Sequence, residues 1–154
     1  MSHQIAVIGA GTASADLEAV ARDLGRALAE KGCTIICGGL GGVMAAVCEG
    51  VKQAGGLSIG IVPGESRLEA NPDVSVVVAT GIGHARNLAV VASGDAVVAV
   101  GGSWGTASEV ALARKLGRPV VVLGEGLPID GDGVIKVSSV EEAVSVLFAI
   151  SLQG

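Results

Sequence analysis

Apolar runs and amphipathic stretches alternate along the whole chain. Short, nearly uninterrupted runs rich in Val and Ile occupy residues 5–9, 34–37, 58–62, 74–79, 96–100 and 119–123, with a weaker one at 134–137. A strand wetted on one face alternates apolar and polar positions. Continuous runs of this kind mark strands covered on both faces, and hence a parallel sheet. Helical patterns fall between them, at 14–31, 43–54, 84–92, 106–116 and 139–152. In the first, Leu17, Val20, Ala21, Leu24 and Leu28 share one stripe, Asp16 and Glu18 sit in the first turn, and Gly32 ends the helix. The last opens on Ser139 and Glu142, spaced as a capping box.

Strands alternating with helices predict one domain over residues 1–154. Its fold class is α/β: a three-layer, doubly wound, Rossmann-like arrangement, with a mainly parallel sheet of about six to seven strands and helices on both faces. Ligands of such sheets sit outside the carboxyl ends of the strands. The glycines fall there: Gly9 and Gly11 follow the first run, Gly38, Gly39, Gly41 and Gly42 the second, and Gly101, Gly102 and Gly105 the fifth. Tight strand-to-helix turns account for some of them. The clusters at 38–42 and 101–105 each lead into a helix start, where exposed amides and the helix dipole can hold an anion.

Composition narrows the ligand. Half the residues are hydrophobic, 16% are charged, and the net charge is −5, with one Trp, one Phe and no Tyr. An acidic chain with so few aromatics has neither the potential nor the stacking surface for nucleic acid. A phosphate must instead be held locally, by main-chain amides. The longest charge-free stretch, 32–48, is broken by the Gly38–Gly42 cluster and is too short to span a bilayer. The start of the chain shows no basic, signal-like segment. A cytoplasmic protein without membrane contact is expected. The three cysteines form no C-x-x-C and there are only two histidines, so buried reduced thiols and no metal site are expected.

The familiar nucleotide motifs fit poorly. The segment Gly9-Ala10-Gly11-Thr12-Ala13-Ser14 has Ser where a dinucleotide fingerprint needs its third glycine, and no acidic residue closes the second strand. No Gly-Lys pair supports a P-loop. Two segments remain. In Gly101-Gly102-Ser103-Trp104-Gly105-Thr106-Ala107-Ser108-Glu109, Thr106 opens a helix, and Glu109 either completes its cap or meets a ligand. Trp104 either stacks on a flat ring or packs against a neighbouring subunit. In Gly81-Ile82-Gly83-His84-Ala85-Arg86-Asn87, Arg86 is a permanent planar cation suited to phosphate.

These segments resemble, in order and spacing, the Lonely Guy (LOG) superfamily, long mislabelled as lysine decarboxylases. Its mark is P-G-G-x-G-T-x-x-E, preceded by M-H-x-R-K. Gly102, Gly105, Thr106 and Glu109 match the first motif, and His84 and Arg86 the second. Gly38-Gly39-Leu40-Gly41-Gly42-Val43-Met44 looks like the family's G-G-G-x-x-G-L-M, Ile61-Val62-Pro63 like its G-V-x-P and Arg118-Pro119-Val120 like its K-P-V. The resemblance implies a phosphorylated, nucleotide-like ligand held by Gly9, Gly11, Gly39, Gly41, Gly42, Met44, Gly102, Ser103, Trp104, Gly105 and Thr106, with Arg86 and Glu109 as the catalytic pair if the chain is an enzyme. In the best-known branch that enzyme is a phosphoribohydrolase, releasing a base and ribose 5-phosphate from AMP or cytokinin riboside monophosphates. Three departures set this chain apart: Gly101 replaces the proline, Ser103 a glycine and Asn87 the lysine. They look more like the branch of molybdenum cofactor carrier proteins, which bind a phosphorylated pterin. Carrier and hydrolase both stay open, with the molybdenum cofactor or a nucleoside monophosphate as bound ligand and no cofactor required. Lysine decarboxylase chemistry lacks a lysine at the glycine edge. Likeness to the family also implies a homo-oligomer, dimer or tetramer.

Overall fold

The computed structural model describes residues 2–150. Seven strands form one all-parallel sheet: β1 (Gln4–Gly9), β2 (Thr34–Cys37), β3 (Ser58–Val62), β4 (Val76–Ala79), β5 (Ala96–Val100), β6 (Val120–Leu123) and β7 (Val134–Val137). Their order across the sheet is β4-β3-β2-β1-β5-β6-β7. The chain winds outward from β1 to one side through β4, then returns to β5 on the other. The switch point therefore lies between the carboxyl ends of β1 and β5, where Gly9 pairs in register with Val100.

Five helices cover the sheet among the described residues: α1 (Ala15–Glu30), α2 (Val43–Gln53), α3 (Arg86–Ser93), α4 (Trp104–Lys115) and α5 (Val140–Ile150). Strand side chains alternate between faces, so one β1 run feeds two cores. Ile5, Val7, Ile35, Val98 and Val100 meet Leu24 and Leu28 of α1, Val47 and Val51 of α2 and Leu147 of α5. Ala6, Ile8, Ile36, Val97 and Ala99 meet Val90 and Val91 of α3 and Val110 and Ala113 of α4. Every residue of β2, β5 and β6 is buried, as their unbroken apolar runs imply.

Three local expectations need correction. The fourth strand begins at Val76 rather than at residue 74, because Ser75 meets Ser58 through its hydroxyl instead of the ladder: the Ser58 amide donates to Ser75 Oγ at 3.0 Å. Helix α4 begins at Trp104, two residues before the expected start, with Ser103 as its extended N-cap. At α5, Ser139 Oγ accepts from the Glu142 amide at 3.1 Å, but the Glu142 carboxylate turns back to the amide of Ser138 at 3.0 Å. The reciprocal bond is thus shifted by one residue. Positions 151–152 of that expected helix lie outside the described residues.

Among the described residues, no helix is long and apolar enough to cross a membrane. Cys33, Cys37 and Cys48 are free and buried.

Candidate functional site

Four elements converge at the switch point. Gly9 ends β1, Gly38 follows β2, Arg86 opens α3 and Glu109 lies in the second turn of α4. Together with Val7, Ile8 and Met44 they line a cavity of about 50 Å³. Gly38 lacks a side chain for a concrete reason: a Cβ there would come within 2.7 Å of Met44 Sδ and 3.0 Å of Arg86 Nη2. The guanidinium thus lies close against the β2 end.

Arg86 is 7% exposed, and its Nε has no hydrogen-bond partner. Burial pulls this guanidinium below its usual range, and the Glu109 charge counters the shift. A buried donor without an acceptor is costly, so the arrangement suits an anion that supplies one. The Oδ1 of the adjacent Asn87 is likewise buried and unpartnered.

Burial acts on Glu109 in the opposite sense. It raises the carboxyl to about 7, with Arg86 opposing the rise. With α4 starting at Trp104, Thr106 occupies the third helical position and Glu109 is too far along to cap the helix. Near neutral pH this carboxyl is therefore poised between acid and base.

The first turn of α4 supplies the second part of the site. Ser103 makes no capping bond with its side chain, leaving amides of the turn to an outside acceptor. Ser103, Trp104 and Gly105 are exposed, whereas Thr106 is buried against Gly102. The loop turns by way of positive φ angles at Gly101 (57°) and Gly102 (126°).

The other glycine cluster is arranged differently. Gly42 caps α2, and the Val43 amide donates to Ala10 O at 3.0 Å. Gly41 and Gly42 both lie against the backbone of Gly11, and Gly39 against β3 at Gly60 and Val62. The Asn71 side chain donates to Gly39 O at 3.2 Å and to Leu40 O at 2.9 Å. The Gly39 amide donates to Cys37 Sγ at 3.4 Å. Gly9 packs beneath Val43 and Val100. The structure therefore brings Arg86, Glu109, Met44 and Gly9 together, whereas Gly102, Ser103 and Trp104 line a separate cleft. Gly39, Gly41 and Gly42 mainly brace the floor. Asn71, the brace for that floor, carried no motif. It reads as part of an ordinary Asn-Pro-Asp turn, and its partners are some 30 residues away in sequence.

A parallel, doubly wound sheet with an uncapped helix start and a buried arginine at its carboxyl edge defines a Rossmann-like domain. Residues 2–149 match the model of the SLOG cluster4 family, and the chain belongs to that family. An uncharacterized protein of Archaeoglobus fulgidus is 42% identical over 150 residues, 97% of each chain. Two solved structures are also similar. The molybdenum cofactor binding protein from Rippkaea orientalis is 34% identical with a TM-score of 0.93, over 97% of this chain and 98% of that one. The molybdenum cofactor carrier protein of Chlamydomonas reinhardtii is 34% identical with a TM-score of 0.90, over the same shares.

Proposed function

We propose that this protein binds a phosphorylated purine- or pterin-type ligand at the carboxyl edge of the sheet and serves as its carrier, in the manner of the molybdenum cofactor carrier proteins it resembles. The observation that carries this reading is the buried Arg86 guanidinium, its Nε unpartnered, on a residue that lines the switch-point cavity with Gly9, Met44 and Glu109. Arg86 and the amides of Trp104, Gly105 and Thr106 would hold the phosphate, charge against charge and helix end against anion. Where the ligand is the molybdenum cofactor, these groups meet its phosphate, and the metal chemistry belongs to the cargo. A homo-oligomer draws support from large apolar side chains left exposed at Val76 and Val78 of β4 and Leu88 of α3.

Equilibrium binding of the molybdenum cofactor, released from a molybdoenzyme, and of AMP tests the proposal. Arg86→Ala weakens affinity by about 1.5–3 kcal/mol, the scale of a hydrogen bond to a charged group. Unchanged affinity would remove Arg86 from the site.

A second reading has its own support. Glu109, raised to about 7 beside Arg86, is suited to orient water or stabilise positive charge at a sugar carbon, as a phosphoribohydrolase requires. Adenine release from AMP that stops in Glu109→Ala would establish hydrolysis. Saturable binding without release would leave the carrier.

A further inference from the structure

Trp104 is the chain's one tryptophan, and 86% of it is exposed at the start of α4. It borders a cleft of about 340 Å³ whose other walls are Gly102, Ser103, Ala107, Pro128 and Ile129. The far wall comes from the β6–β7 connection, which reads in sequence as a polar loop and has no part in the site described so far. Leu127 anchors that wall in the core, and the Ile129 amide closes on Leu127 O at 2.8 Å, which holds Pro128 and Ile129 at the cleft. Gly126 brings the loop close to Gly102, the residue that also shapes the turn before α4.

We infer that this cleft is the ring subsite of the same ligand: a flat bicyclic heteroaromatic, purine or pterin, lies on the Trp104 indole with Pro128 and Ile129 at its edge. The inference rests on the phosphate reading above and adds residues to it. The volume lies near the lower bound of small-molecule sites, roughly 300–1,000 Å³. Its surfaces are apolar and one is a large aromatic plane, the pairing that ring stacking uses. Gly102 and Ser103 border both the cleft and the proposed phosphate turn, so one molecule can reach both.

A second copy of the chain is the poorer occupant. The patch is concave and one tryptophan wide, whereas stable interfaces cover about 800 Å² per partner. The exposed apolar residues Leu68, Val76, Val78 and Leu88, which lie on β4, the turn before it and α3, do not line this cleft.

The geometry bears on chemistry as well. Glu109 follows Trp104 by five residues, about 140° round the helix. Ala107 faces the cleft, while Glu109 faces the switch-point cavity. A ring seated on Trp104 therefore lies on a different side of α4 from Glu109, and only the phosphate reaches round the helix start toward Arg86. That arrangement favours holding a ligand over breaking it.

The lone tryptophan makes the test direct. Trp104 emission is followed while the protein is titrated with AMP, GMP and dihydroneopterin monophosphate, and separately with ribose 5-phosphate. Calorimetry reports binding independently. At least one ring-bearing probe should quench the emission saturably, while ribose 5-phosphate binds with little change. Trp104→Ala should cost that ring-bearing probe about tenfold in affinity, much more than it costs ribose 5-phosphate, and Trp104→Phe should recover most of the loss. Ring-bearing probes that bind without altering the emission would place the ring elsewhere and leave the phosphate reading standing. Failure of every phosphorylated probe to bind would end both. A Trp104→Ala protein with a smaller hydrodynamic size and unaltered affinities would make Trp104 a subunit contact and overturn the subsite.

Discussion

Two glycine clusters lead into two helices on the same edge of the sheet, and they do opposite work. At α2 the cluster is closed. Gly42 rests on Ala10 and Gly11, the Val43 amide is taken by Ala10 O, and Asn71 ties down the carbonyls of Gly39 and Leu40. At α4 the turn is open: Ser103, Trp104 and Gly105 face solvent, and the N-cap side chain makes no bond. Both clusters satisfy the same sequence rule for an anion-binding helix start. What separates them is the supply of internal acceptors. The first amide of α2 has Ala10 O as its acceptor, whereas the amides of Trp104, Gly105 and Thr106 find none among the described residues.

Substitutions can break this contrast, and the largest effect is expected at Gly42. Its φ is 61°, and a Cβ would run into the backbone of Ala10 and Gly11. Gly42→Ala should cost about 3 kcal/mol in denaturant unfolding, with the fold lost outright as the extreme outcome. A neutral effect would mean that the closed turn is not closed.

Next comes Glu109. Its carboxyl holds a proton up to about pH 7 in the folded state, against an ordinary value of 4.5. Between these values the folded state binds more protons than the unfolded one, so stability falls as pH rises through that window. Glu109→Gln should therefore match the native protein near pH 4 and exceed it by on the order of 2 kcal/mol at pH 8–9. Equal stabilities across the range would show that burial does not strain this carboxyl.

Asn71→Ala removes two hydrogen bonds to the closed loop and should cost about 1–2 kcal/mol. Gly105→Ala has the smallest expected effect on the fold. A Cβ there meets nothing within 4 Å, and the position is helical. Alanine should raise the melting temperature slightly, by the equivalent of about 0.5–1 kcal/mol. A large loss at Gly105 would mean that the open turn is packed after all.

The architecture was legible in the sequence because burial on both faces writes a strand as an unbroken apolar run. β2, β5 and β6 obey this fully. β4 lies at the sheet's edge with most of its residues exposed, and there the apolar run overstates the strand. That Arg86 and Glu109 share one cavity was legible from motif and spacing. Which glycine turn would be open was not, because glycine answers a crowded backbone and an open turn with the same residue. The α4 start was also misjudged. Trp104 and Gly105 are poor markers of a first turn, and the helix begins there because Ser103 adopts the extended cap conformation. The Pro128–Ile129 wall stayed hidden because its partner, Trp104, is more than 20 residues away and no local pattern joins them.

Backbone amide shifts in a nitrogen-15-labelled sample, titrated with AMP or inorganic phosphate, bear most directly on an anion held by the open turn. The largest changes should fall on Trp104, Gly105 and Thr106 and on the Arg86 Nε–H, with Gly41–Met44 moving little. Changes centred on the α2 turn, or no saturable change anywhere, would contradict this account.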